Sequence, residues 1–298
     1  MSDMYRGMML YTVSVCWAVL GDSFIKSWPM YKIDFMSGLF LRSFIMIITM
    51  GFIFRFRNYN LKVTDIRLMT LQFMRASSLA LGSVCFLYGL QWVSFAKAYV
   101  YLQLLPGLTI LMSVISFKEP HLKWLYPCLL TSLFGALIMI IPNMESWKVN
   151  SIDGLLLVGV GFYTVFFSTQ RLIMHGISLY NQLLINSVVQ CLLVAPWLGL
   201  EGCFNFGLGQ WWVIGASAIC QIFFLVFFVL AFRQTSSPVL MPFEHLGVPL
   251  AFLISYLWFG EEAKWTTWVG GWMIVGSSLT YMWRAQASKI TLIQASYD

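Results

Sequence analysis

The stretch Ser237–Glu262, SPVLMPFEHLGVPLAFLISYLWFGEE, decides the fold class. It is apolar over the length of a bilayer crossing, yet it carries Glu244 and His245 near its middle. Hydrocarbon does not solvate a carboxylate, so an acid at that depth requires a partner, a water-filled cavity or a proton. On a continuous helix, Ser237, Glu244, Ala251 and Ser255 fall on one narrow stripe that is small and polar, opposite a face of Leu, Phe and Trp. The segment reads as one wall of a polar cavity inside a membrane protein.

The rest of the chain has the matching composition. Its 298 residues are 59% hydrophobic and 10% charged, against about 25% charged in soluble domains. The net charge of +6 does not call for nucleic acid, because basic residues in short loops orient membrane proteins. Of the six cysteines, five (Cys16, Cys85, Cys128, Cys191, Cys220) fall in apolar runs and Cys203 in a loop, which predicts no disulfide and no metal spacing. The apolar run of the N-terminus continues through Trp17 and Asp22 without a cleavage pattern, so it reads as a retained first span.

Ten spans are predicted, at 8–28, 34–54, 69–89, 93–115, 122–142, 153–171, 180–199, 211–232, 237–258 and 265–283. The fold class is an all-α integral membrane protein; β-barrel strands do not fit runs such as LLTSLFGALIMII. Loops on the side of the N-terminus hold Arg6, Arg55, Arg57, Lys62, Arg67, Lys118, Lys123, Arg171, Arg233, Arg284 and Lys289. The other side holds Lys26, Lys32, Lys148 and Lys264. That excess predicts two cytoplasmic termini in a multi-pass inner-membrane protein.

A shift of 143 residues lays SFAKAYVYLQLLPGLTILMSVISFKEP on SPVLMPFEHLGVPLAFLISYLWFGEEA. Ser94 meets Ser237, Pro106 meets Pro249, Glu119 meets Glu262, and Tyr101 becomes the counterpart of Glu244. With five spans per half the second copy enters the membrane from the opposite side, which is the inverted repeat of many secondary carriers. The expected halves are 8–142 and 153–284, followed by a short tail at 285–298.

The segments LMPFEHLGVPLAFLISYLWFGEEAKWTTWVGGWMIV (240–275) and FMRASSLALGSVCFLYGLQWVSFAKAYVYLQLLPGL (73–108) resemble the ninth-helix and the third-to-fourth-helix patterns of the drug/metabolite transporter superfamily. The resemblance is to its ten-helix members built from two EamA-type domains, and it extends over roughly 8–284. His245 departs from the pattern, which often has Tyr there. The resemblance implies a secondary carrier. Members of the family carry S-adenosylmethionine, amino acids, metallophores or riboflavin, so it leaves the substrate open.

Polar residues within spans are the candidate site. Arg42 at mid-depth of the second span calls for a carboxylate, with Glu244 the expected partner, or for an anionic substrate group. Lys97 and Tyr101 share a face with Ser94; Lys97 is also placed to snorkel. Arg75, near a span end, is expected to snorkel to lipid phosphate. Gln182, Asn186 and Gln190 form a stripe on the seventh span that is either a cavity wall or contact between helices, and Gln221 reads the same way. Trp17 and Tyr163 serve packing or stacking on a ring. Asp22, beside the outer surface, and Glu244 are the coupling candidates. The fifth and tenth spans are expected to be peripheral scaffold. Glu119, Glu261 and Glu262 close spans at loops.

No catalytic residue, cofactor or metal is predicted. Glu244 and His245 are adjacent and so diverge on a helix, and no HExxH, phosphate loop or GxSxG accompanies them. The expectation is a carrier of a small polar metabolite, amino-acid-like or nucleoside-like, working by alternating access with a proton or a counter-substrate. Its partners are that solute and the lipid bilayer, without nucleic acid. A lipid or lipid-linked-sugar flippase is the alternative, and an intramembrane enzyme is the weaker third reading.

Overall fold

The computed structural model describes residues 3–57, 65–117, 125–140, 151–174, 176–198, 206–235, 237–260 and 265–294. Glu119, Glu261, Glu262, His121, His175 and Cys203 lie outside them. The helices are α1 (Asp3–Lys26), α2 (Phe35–Arg57), α3 (Ile66–Trp92), α4 (Phe95–Leu102), α5 (Leu104–Phe117), α6 (Leu125–Ile140), α7 (Ser151–Ile173), α8 (Leu179–Val194), α9 (Leu208–Gln234), α10 (Ser237–Leu240), α11 (Gly247–Phe259) and α12 (Trp265–Gln294). Six of the described helices are long and apolar enough to cross a membrane: α1, α2, α3, α7, α8 and α9. The fourth span is divided into α4 and α5. The ninth is divided into α10, a 3-10 stretch over Met241–Leu246, and α11.

Both divisions have the same chemical cause. Pro106 is the third residue of α5 and Pro249 the third of α11. A proline there lacks the N–H for the preceding turn and clashes with the carbonyl four residues back. The shift of 143 carries Leu104, the start of α5, onto Gly247, the start of α11. The predicted continuous stripe on the ninth span is therefore corrected. Ser237, Ala251 and Ser255 are buried, but Ser237 belongs to α10, Glu244 to the 3-10 stretch, and Ala251 and Ser255 to α11. The apolar opposite face is as expected, with Leu253, Leu257 and Trp258 exposed.

The packing repeats with the halves exchanged. α1 lies along α9 as α7 lies along α3, while α2 meets α8, α4 meets α11 and α6 meets α12. Replacing each span by the one five places on reproduces this set of pairs. The fold is thus two inverted five-helix repeats. Close approach depends on small residues. A Cβ on Gly159 of α7 would lie 2.8 Å from the Phe86 backbone nitrogen of α3, and one on Gly135 of α6 would lie 2.7 Å from the Gly270 carbonyl of α12.

Helix ends are tied by side chains. Asp65 caps α3 through the Arg67 N–H, and Ser178 caps α8 through the Asn181 N–H. Lys26, ending α1, donates to the Leu90 carbonyl at 3.0 Å and also to that of Val93, which places a cation at the C-terminus of α3. α6 and α12 form the peripheral pair, joined by a hydrogen bond between Ser132 and Ser277. They expose Leu130, Phe134, Trp268 and Trp272, as lipid-facing surfaces do.

A polar cavity between the two halves

α1 turns one face inward, with Val15, Ala18 and Asp22 at helical spacing. α2 adds Arg42, α3 adds Ser83, and the broken fourth span adds Tyr99, Leu102 and Leu105. α7, α9 and the 3-10 stretch add Tyr163, Gln221 and Glu244. Together they enclose a cavity of about 60 Å³. Both halves supply its walls; α8 supplies none of the lining residues.

The cavity has an acid toward each end. Glu244 accepts a hydrogen bond from the Tyr11 hydroxyl at 2.6 Å. Asp22 accepts one from the Tyr99 hydroxyl at 2.8 Å. Tyr11 and Asp22 stand eleven residues apart on α1, about 16 Å at the helical rise of 1.5 Å. The Tyr11 ring packs against Phe228 and Phe232 of α9 at centroid distances of 6.2 and 6.0 Å.

Arg42 supplies the positive charge. It is 2% exposed, and one Nη donates to Gln221 Oε1. Its Nε and other Nη are buried without a hydrogen-bond partner in the protein. Two unfilled guanidinium donors beside an open space suit an anionic or carbonyl group. Among the described residues no ion pair joins Arg42 to Glu244, contrary to the sequence expectation. The break in the ninth span turns Glu244 toward α1, and Arg42 reaches α9 instead.

The structure therefore brings Asp22, Arg42, Tyr163, Gln221 and Glu244 together. The other candidates lie elsewhere. Lys97 forms an ion pair with Asp153 at 2.9 Å, and Tyr101 hydrogen-bonds to the same carboxylate. His245 is bonded through Nδ1 to Gln103 Oε1. Trp17 stacks on Phe223 with centroids 4.7 Å apart, away from the cavity lining. Asn186 accepts from Gln72 at 3.1 Å, and Gln182 accepts from Gln170 at 3.0 Å. Gln190 is buried one turn further on. That stripe faces α3 and α7, in contact between helices.

Arg75 is corrected outright. It does not snorkel but is 1% exposed, with Nε donating to the Phe166 carbonyl at 3.3 Å and its guanidinium 3.9 Å from the Phe166 ring centroid. Sequence reasoning missed Tyr11, Tyr99, Ser83 and Asp153. Tyr11 stands at helical spacing from Val15, Ala18 and Asp22, so the face of α1 already carrying Asp22 was the signal available.

Residues 6–141 match the family model of the EamA-like transporter family. A solved crystal structure of a protein aligns with a TM-score of 0.71 at 10% identity, covering 95% of this chain and 98% of that one. At that identity it shows a shared fold alone. No curated protein matches by sequence. The first half of the chain is thus similar to the EamA-like transporters of the drug/metabolite transporter superfamily.

Proposed function

We propose that this protein is a secondary active transporter that moves a small polar metabolite across the inner membrane by alternating access. The solute is amino-acid-like or nucleoside-like, with S-adenosylmethionine in that class. The observation that carries this reading is the pair of unfilled Arg42 donors in a cavity walled by both halves, with an acid toward each end. At about 60 Å³ the space holds a few waters, each needing roughly 10–15 Å³. Drug-sized ligands occupy about 300 Å³ or more. The solute therefore enters only when the repeats, 8–142 and 153–284, move apart at one end. Arg42 holds its anionic group, Gln221 and Tyr163 orient it, and Glu244 and Asp22 carry a proton or face a cationic group.

The charge bias in the loops supports cytoplasmic termini. Reporter fusions after residue 60 and at the C-terminus are expected in the cytoplasm, and one near residue 205 outside. A cytoplasmic report at 205 would break the ten-span orientation.

A flippase would need a lateral opening with a place for a headgroup. An apolar crevice of about 360 Å³ does open between α5 and α7, but Leu108, Leu111, Met112, Ile115, Gly161 and Thr164 line it and none is charged. The deciding experiment loads proteoliposomes with a metabolite panel. A carrier accumulates or exchanges one soluble solute. Movement of a labelled lipid between leaflets, or chemical change of the substrate, would replace the proposal.

A further inference from the structure

Glu244 is not the cavity's private feature, because its contact recurs in the other half. The shift of 143 residues carries Tyr101 onto Glu244 and Asp153 to within one residue of Tyr11. In the structure, Tyr101 on α4 bonds to Asp153 on α7, and Glu244 on the ninth span bonds to Tyr11 on α1. Each is a phenol–carboxylate contact and each bridges the two halves, the phenol coming from the first half and the acid from the second, so that phenol and acid occupy exchanged positions in the repeat. They stand at opposite membrane sides, because Asp153 is in the first turn of α7 while Tyr11 is on the N-terminal part of α1. Between them, Gln103 and His245 join the two helix breaks, and the same shift brings each to within one residue of the other's position.

We infer that Asp153, Tyr101 and Lys97 form the gate at one end of the transport path, and that Tyr11 and Glu244 form the equivalent gate at the other. The Gln103–His245 contact sits at the pivot between them. This rests on the transporter reading, and it assigns a role to six residues outside the cavity lining. The two gates differ in strength. Lys97 adds an ion pair at 2.9 Å to the Asp153 contact, whereas Tyr11 is the hydrogen-bond donor to Glu244. The Asp153 gate is the harder one to open.

The test reads sidedness and needs no solute. Ala18→Cys, in a background with the native cysteines replaced, puts one thiol in the cavity wall. A membrane-impermeant thiol reagent is applied to intact cells and to inverted vesicles. Asp153→Asn should raise labelling from the Asp153 side alone, by about 5–10-fold, the population change that follows loss of such a contact. Tyr11→Phe should raise it from the opposite side alone. The swap Lys97→Asp/Asp153→Lys should return the first side to the parent rate. Unchanged sidedness in both single variants, or a rise on both sides that the swap does not reverse, would overturn the assignment. If sidedness shifts as stated while no solute moves in proteoliposomes, the gates stand and the transporter reading fails.

Discussion

Arg42 and Arg75 are both buried to within 2% exposure in the membrane part of the fold, and they do opposite things. Arg75 spends Nε on the Phe166 carbonyl and one Nη on the Gln72 side chain, with its guanidinium over the Phe166 ring and its other Nη buried without a hydrogen-bond partner among the described residues, at the contact of α3 with α7. Arg42 keeps two donor nitrogens unfilled beside a cavity. A buried cation is tolerated in a bilayer interior when helix contacts satisfy it or when a site uses it. The two arginines show one case each, and burial alone does not distinguish them. What distinguishes them is what surrounds the guanidinium: Arg42 lines the cavity, and Arg75 is packed between α3 and α7.

The sharpest way to break the comparison is to truncate each arginine. Arg42→Ala should fold with an unchanged melting transition and lose transport by about 100-fold or more per folded molecule, the loss expected for a charge that grips the solute. Arg75→Ala should do the reverse. It leaves the Gln72 Oε1 without a donor, a cost of about 1–3 kcal/mol, read as a lower melting temperature in detergent with transport per folded molecule within a few-fold of the parent. If the phenotypes are exchanged, the division is wrong.

A smaller effect sharpens it. Gln221→Leu removes the side-chain acceptor that Arg42 has among the described residues and should weaken transport by about 10-fold, since a single hydrogen bond to a charged group is worth about 1.5–3 kcal/mol, with little change in melting. The smallest effect is in thiol labelling. Cysteines at Gln182, Asn186 and Gln190 should react slowly with a small polar reagent, because α3 and α7 cover that stripe, whereas Ser83→Cys in the cavity wall should react faster and be protected by solute. Equal rates at all four positions would remove the contrast between contact and cavity.

How much of this was legible in the residues follows from what each inference needed. The membrane class and the repeat needed only composition, span length and a register, and Pro106 and Pro249 were visible as partners 143 residues apart. Residue spacing alone reads a continuous helix through Glu244, which puts the acid on the wrong stripe and aims it at Arg42; the break at Pro249 moves it. Arg75 was misjudged because its fate depends on Phe166, 91 residues away, and no local spacing reveals a ring waiting on another helix. Tyr11 and Tyr99 were passed over because a tyrosine in an apolar span is ordinarily packing; only the facing acid makes it a donor. Asp22, Arg42, Tyr163, Gln221 and Glu244 were singled out individually, and the fold supplied their juxtaposition.

The most direct test of the account is the behaviour of Glu244→Gln in proteoliposomes under an imposed proton gradient, with the solute found by the panel. Glutamine keeps the size and the Tyr11 hydrogen bond and removes the titratable charge. The account predicts normal insertion and folding with concentrative uptake lost; exchange is kept if Glu244 carries the proton and lost if it binds a cationic group of the solute. Concentrative, pH-dependent uptake at the parent rate by a well-folded Glu244→Gln protein would contradict a working carboxylate at this end of the cavity.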